Sequence, residues 1–561
     1  MSRVFLILVM VGLLASCAPT PTNTPGSGQT APVAPAPPAA PKTLVLVGRE
    51  GSIPDLPGAA GRTVLSGGDF VQDYLVVRDA SDAWIGHLAE ALSVDKGTWK
   101  INPDGTMDTI WKLRPNVKWQ DGAPFTSDDM MFTYTLYKDP DLPSRYGDAL
   151  KLMKSAEAPD PQTFIVHWSA PWATANQAPA LNPLPRHLLE DAYLHDKASF
   201  GDTTRYHRDF VGLGPYRIYQ WDSGSQVTFE RFDDYYLGHP PLDKVVLRFM
   251  SDSNTIVANL LNGSIDMSFS KDLVDTEAAI EVQRRWEGTK NQVKFVPSQR
   301  LTSIEIQYRK EFARPQAGLT DRDVREALIR AIDRTALNEA VTHGLSPIAD
   351  SWVPPTSELA APIDSVVPKY AYDPARAQQL LAQAGWTTKG SDGILVNANT
   401  GDRFETDLWN RFALQKDQAI VADNWKSVGV LANVKQLPVA RDRQLEAEIN
   451  GGQMMDQTLD DYTYNGRIGT ANFATAANKY TGRNLGGYSN PKVDDLLSRL
   501  VVAIDPRETT NIQRDVAREI FTDVALIPLY IQVTPMLLRE GVTGPVGGTY
   551  FNWNFHEWDK K

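Results

Sequence analysis

Side chains able to do acid–base, nucleophilic or metal chemistry are present, but their spacing is wrong for a reaction centre. Asp128 and Asp129 are adjacent, as are Asp460 and Asp461. Neighbours at a helix start do not face one cleft, whereas glycoside hydrolysis needs two carboxyls about 5–9.5 Å apart across a sugar. The eight histidines are scattered. No Gly-x-Ser-x-Gly elbow, His-Glu-x-x-His pair or phosphate-cradling loop occurs. Gly212-x-Gly214-Pro215-Tyr216 opens a strand instead of a helix, which excludes a phosphate site there. The single cysteine, Cys17, excludes disulfides, cysteine zinc sites and a cysteine nucleophile in the folded chain. No cluster of metal-ligand type is visible, and no cofactor is expected. What remains is binding chemistry: fourteen tryptophans, plentiful for aromatic stacking on an enclosed ligand.

The elements that would position such groups can be read in order. Residue 3 is Arg and Val4–Leu14 is apolar but too short to span a bilayer. Leu14-Ala15-Ser16-Cys17 resembles a bacterial lipobox, which implies a signal over 1–17 and a lipid on Cys17. Residues 18–41 are Pro, Ala, Thr and Gly with almost no large apolar side chain, so they cannot bury a core and read as a semi-extended tether. At 561 residues, with 42% hydrophobic and 22% charged, the rest calls for several globular domains. The net charge of −12 argues against nucleic acid as partner.

Thr43–Val47, Thr163–Trp168 and Lys244–Met250 read as strands, and Gly212–Glu230 as a hairpin turning at Asp222–Ser225. Ser253–Leu261 reads as a helix closing on Asn262–Gly263. Beyond residue 300, strands alternate with capped helices, the pattern of an α/β domain. Thr320 is expected to cap a helix with Asp323 at its third position, burying Val324, Ala327, Leu328, Ala331 and Ile332 and stopping near Gly344. Asp373–Pro374 opens another helix that ends at Gly385, and a third runs from Gln415 to Val428.

One stretch, Trp111–Tyr137, carries more. A strand ends in Leu113-Arg114, then Val117-Lys118-Trp119 leads to Asp121-Gly122-x-Pro124-Phe125-Thr126. The acidic pair Asp128–Asp129 opens a helix capped by Thr126 or Ser127. This pattern closely resembles the signature of the extracytoplasmic solute-binding proteins of family 5. The likeness continues through Gly263-x-Ile265-Asp266, Asp323-Val324-Arg325-Glu326-Ala327-Leu328, Tyr372-Asp373-Pro374, Trp425-Lys426-x-Val428-Gly429, Tyr488-Ser489-Asn490-Pro491 and Ala525-Leu526-Ile527-Pro528-Leu529-Tyr530, and covers nearly everything from 42 to about 545.

The resemblance implies an α/β periplasmic-binding-protein clamshell (class II, cluster C type): two α/β lobes with hinge strands, plus an extra domain packed on lobe I. It places domain I at 42–79, 208–300 and 527–561, domain II at 80–207, and domain III at 301–526. It implies no chemistry, only capture of a peptide or other small polar solute and delivery to ABC permease subunits. The expected protein is a monomer, extracytoplasmic and lipid-anchored to a bacterial membrane. A ligand sensor or chaperone on the same fold is the alternative, because fold does not fix function; a lipid-anchored hydrolase is the weaker one.

Peptide-binding members of the family hold the peptide ammonium with an aspartate that follows a tryptophan. Aligned from Asp456, the tryptophan position falls on Tyr462 and the aspartate position on Asn465. An amide cannot neutralise a buried ammonium, and an unpaired buried charge costs roughly 3–5 kcal/mol. A shift of register would instead bring Asp461 or Asp460 to that place. The candidate ligand contacts are therefore Tyr462, Asn465, Asp461, Trp409 and Trp352, while Trp119, Trp386 and Trp425 fall within structural motifs.

Overall fold

The computed structural model describes residues 41–50, 68–81, 83–93, 99–142, 147–177, 181–197, 200, 210–268, 273–410, 414–437, 453–459, 467–475, 482–546 and 553–561. Cys17 and residues 18–40 of the tether lie outside them. Among the described residues no helix is long and apolar enough to cross a membrane.

A ten-stranded sheet runs through the molecule. Its strands, numbered along the chain, are β1 (Thr43–Gly48), β2 (Tyr216–Asp222), β3 (Gln226–Arg231), β4 (Lys244–Phe249), β5 (Met267–Ser268), β6 (Gln292–Glu305), β7 (Glu405–Asn410), β8 (Leu431–Gln436), β9 (Gln453–Leu459) and β10 (Leu526–Leu538). Their spatial order is β8-β7-β9-β6-β10-β5-β1-β4-β3-β2. The two long central strands, β6 and β10, are antiparallel and belong to both halves. On one side of them β1 pairs in parallel with β4 and β5; on the other β7 pairs in parallel with β8 and β9. This is the two-lobed clamshell, with β6 and β10 as the strands that cross between lobes.

Each lobe buries its own apolar groups. Lobe I packs Leu44, Leu46, Phe229, Val245 and Leu247 against Phe70, Phe555 and Trp558, the first two rings stacked at 3.8 Å. Its other face holds Val47, Ile256, Leu260 and Trp286. In lobe III one face of the sheet, with Ile304 and Leu408, meets Val324, Leu328, Leu380 and Val421. The opposite face, with Leu301 and Leu526, meets Leu496, Leu500, Val516 and Phe521 from helices Pro491–Val502 and Pro506–Thr522. A separate four-stranded sheet, Trp99–Ile101, Met107–Lys112, Thr163–Trp168 and Met153–Asp160 in a partly non-sequential order, has its own core around Trp111, Trp119, Phe164 and Trp168.

Local chemistry explains the element ends. Thr126 caps helix Ser127–Lys138 in a reciprocal box with Asp129, whose carboxylate accepts from the Thr126 N–H at 2.9 Å. Burial pushes the Asp129 carboxyl up; the N–H donors of Thr126 and Arg186 and the Trp119 indole oppose that. Asp373 caps Pro374–Gln383, and helix Gln415–Ser427 stops before Gly429 at φ +92°. Asp266 of the Gly-x-Ile-Asp motif accepts from the Val45 N–H at 2.9 Å and the Lys560 ammonium at 2.8 Å, tying β1 to the C-terminus. Glycine is required at 212 and 214: a Cβ at Gly212 would lie 1.8 Å from the Val71 carbonyl oxygen, and one at Gly214 2.6 Å from that of Phe70.

Two expectations are corrected. Asp321 caps the helix expected to start at Thr320, accepting from the Asp323 and Val324 N–H groups; Thr320 instead closes the short helix Gln316–Leu319. The helix also does not run to Gly344. It is two helices, Arg322–Arg330 and Arg334–Thr342, because the Asp333 carboxylate accepts from the Ala336 N–H and starts a new turn. The apolar face is as read: Val324, Ala327, Leu328, Ala331 and Ile332 are all buried. Gly68–Phe70 is a 3-10 turn, and the short strand Val76–Arg78 follows it.

Candidate ligand-binding cleft

The cleft is built where β6 and β10 pass from one lobe to the other. Their pairing runs regularly from Gln292↔Leu538 to Pro297↔Val533, breaks, and resumes at Leu301↔Ile531. Three residues of β6 (Ser298, Gln299 and Arg300) therefore stand opposite the single Gln532, a bulge that bends the pair. Gln532 is buried and donates to the Thr302 hydroxyl at 3.0 Å. A second slip follows between Thr302 and Ser303. Strands that lose ladder bonds at one level can flex there, so the bulge is where a hinge belongs.

Register then locates the candidate loops. β9 runs antiparallel to β6, with Met454 opposite Glu305 and Leu459 opposite Arg300. Its C-terminal end therefore arrives at the bulge, and the chain leaves it as residues 460–466. β7 is parallel to β9, so its carboxyl end at Asn410 is directed the same way. Ligands of open α/β sheets bind outside the carboxyl ends of strands, which is the end directed here toward the crossing point.

Tyr462, Asn465 and Asp461 lie outside the described residues. The anchors on either side of them do not. Leu459 is held by β6 at Arg300, and Arg467 pairs with the Glu305 carboxylate of the same strand. The described residues that flank 460–466 are thus tied to one strand at positions five residues apart, roughly 17 Å. Beyond Arg467 the chain is fastened by Asn484, a buried amide with its capacity filled. Its oxygen accepts from the Gly487 and Tyr488 N–H groups, and its nitrogen donates to the Gly469 and Tyr488 carbonyls. The sequence reading missed Asn484; only its neighbourhood, Tyr488-Ser489-Asn490-Pro491, carried a signal.

The two tryptophans differ. Trp409 is on β7 in a row with Met454, Glu305 and Leu526 across four strands, so it shares a sheet face with Glu305, about 10 Å away. It is half-buried, and its indole N–H is buried with no acceptor among the described residues. Such a donor is costly unless something accepts from it. Trp352 is 5% exposed and packs on Phe521, ring centroids 4.9 Å apart, in the helical layer of lobe III. Little of its face is left for a ligand. The described residues therefore bring Trp409, and not Trp352, to a position where a polar partner is wanted. Among them no group of three or more His, Cys, Asp or Glu could hold a metal ion.

The family model for bacterial extracellular solute-binding proteins, family 5 middle, matches residues 88–476. The chain is 25% identical over 456 residues to the oligopeptide-binding protein AppA of Bacillus subtilis, covering 79% of this chain and 78% of that protein. It is 27% identical over 465 residues to the glutathione-binding protein GsiB of Salmonella typhimurium, covering 80% and 81%. Among solved structures, NikA of Brucella suis in complex with Fe(III)-EDTA superposes with a TM-score of 0.75 at 19% identity, over 92% of this chain and all of that one. NikZ of Campylobacter jejuni in complex with Ni(L-His) gives 0.71 at 22%, over 93% and 100%.

Proposed function

The chain belongs to the bacterial extracellular solute-binding proteins of family 5, and from that premise we propose that it captures a peptide or other small polar solute between its lobes and delivers it to an ABC permease. The observation that carries the reading is the bulged pair of crossing strands with the carboxyl ends of β7 and β9 directed at it. A hinge beside a set of loop ends is a device for enclosing something. The named relatives bind oligopeptides and glutathione, which supports a peptide-like ligand. The solved neighbours hold chelated metals, so a complexed metal is the second ligand class to test.

In this reading Trp409, Tyr462, Asn465 and Asp461 contact the ligand, while Trp352, the remaining candidate, is packed on Phe521. The lobe limits are those of the sequence reading: 42–79, 208–300 and 527–561 for lobe I, 80–207 for the extra domain and 301–526 for lobe III. Cys17 carries a lipid that fastens the protein to the outer side of a bacterial membrane through the 18–41 tether, and the protein acts as a monomer. Closure is an equilibrium that ligand shifts by contacting both lobes, not a chemical step.

Native mass spectrometry of the chain purified without denaturation tests this. A co-purified small mass that leaves on activation, and that Trp409→Ala and Tyr462→Ala weaken by tenfold or so, about 1.4 kcal/mol each, is the expected result. Unchanged affinity in both variants would remove those residues from the site.

A further inference from the structure

The four-stranded unit touches both lobes, and its contact with lobe III is the informative one. The Ala173 N–H donates to the Val501 carbonyl at 2.7 Å. Val501 is in the last turn of helix Pro491–Val502, whose terminal carbonyls have no partner within the helix. Three residues after Val501, Ile504 packs against the apolar core of the four-stranded unit. Helix 491–502 is itself fixed in lobe III through Val493, Leu496 and Leu500. A polar and an apolar contact thus join segments some 330 residues apart in sequence.

The loop making this contact is poorly satisfied. Trp172 Nε1, Thr174 Oγ1 and Asn176 Oδ1 are buried without a hydrogen-bond partner among the described residues. Three such atoms within five residues make this a costly conformation for the loop, although Trp172 also packs on the core of its own unit. The carbonyl cap and Ile504 favour docking.

We infer that the loop Trp172–Asn176 and the helix end Val501–Ile504 form a latch between the extra domain and lobe III that sets how readily the cleft closes. Ala173 and Ile504 are then positioning residues: they change affinity without touching ligand, by changing the population of the closed form. The inference rests on the clamshell reading but not on which ligand the cleft takes.

The test therefore uses no ligand. Nitroxides are placed at Lys100 and Lys389, both exposed, in the full chain carrying Cys17→Ser, and their distance distribution is measured by pulsed electron spin resonance. Ile504→Ser and Ala173→Pro, which removes the donor, are expected to lower the short-distance population roughly threefold to tenfold. Ala173→Gly keeps the N–H and leaves the distribution as in the parent. Circular dichroism confirms that each variant is folded, and if Ala173→Pro is not, Ile504→Ser decides. A distribution unmoved by the folded variants, or moved equally by Ala173→Gly, overturns the latch. Unchanged ligand affinity in Trp409→Ala and Tyr462→Ala, with distances that do shift in the latch variants, would instead count against the proposed contacts in the cleft and leave the latch standing.

Discussion

The four-stranded unit meets lobe I and lobe III by contacts of opposite character. Against lobe I, Gln120 is a buried amide that accepts from the Gly212 N–H at 3.0 Å and donates to the carbonyls of Val71, Gly214 and Tyr216 at 3.2, 3.0 and 2.7 Å. Nearby, the buried Asp73 carboxylate accepts from the hydroxyls of Tyr235 (2.9 Å) and Tyr236 (2.8 Å) and from His87 Nδ1. Burial, and then the Asp73 charge, pushes both phenols well above their usual range. Against lobe III, among the described residues, stand the Ala173–Val501 backbone hydrogen bond and Ile504, and the loop that makes the contact carries three buried polar atoms without a partner. A junction whose polar atoms are satisfied holds, and one whose atoms are not is free to part. The unit is therefore carried by lobe I and visits lobe III.

Removing Asp73 should break the fixed junction most. Asp73→Ala takes the shared acceptor from the His87 imidazole, which reaches it across the junction, and from the two phenols on the lobe I side, and about 3–5 kcal/mol of stability should be lost in urea unfolding. Gln120→Ala should cost about 2–4 kcal/mol by the same assay, since the Gly212 N–H and three carbonyls each lose a hydrogen bond, that of Val71 keeping the Gly214 N–H. At the latch, Ile504→Ala should cost only about 1 kcal/mol, because Ile504 is half-buried. A loss there as large as at Gln120 would erase the contrast.

The smallest effect is one of pH. His556 lies 6.1 Å from His87 and 5.6 Å from Tyr235, ring to ring. Burial, and then repulsion by His87, holds its imidazole below the usual histidine range, against the opposing pull of Glu557 and Asp73. A histidine lowered in the folded state binds more protons when unfolded, so stability falls as pH drops through the ordinary value near 6.5. His556→Gln should flatten that fall in midpoints measured from pH 7.5 to 5.5. An equally steep profile would place the acid sensitivity elsewhere.

Much of this was legible in local chemistry. The Thr126–Asp129 box, the Asp373–Pro374 start and the buried stripe from Val324 to Ile332 follow from groups a turn apart, and spacing alone reveals those. The break at Asp333 was missed because an aspartate within an apolar stripe also reads as an ordinary polar face. The junction was missed for a different reason. Gln120 and its carbonyl partners are 49 to 96 residues apart, and Asp73 and the two tyrosines 162 and 163, so no window of sequence contains them. Trp352 and Trp409 looked alike as tryptophans beside loops; only packing separates a ring on Phe521 from one with an unmet N–H.

The central claim is that the molecule encloses a small solute and returns it unchanged. A thermal-shift titration of the full chain with short peptides, glutathione and metal chelates, followed by mass analysis of the recovered compound, tests it most directly. One class should stabilise the protein saturably, by about 2.7 kcal/mol at 100 times its dissociation constant and about 4.1 at 1,000 times, and come back with its mass intact. A compound recovered cleaved or altered, or no stabilisation by any of the three classes, would contradict the account.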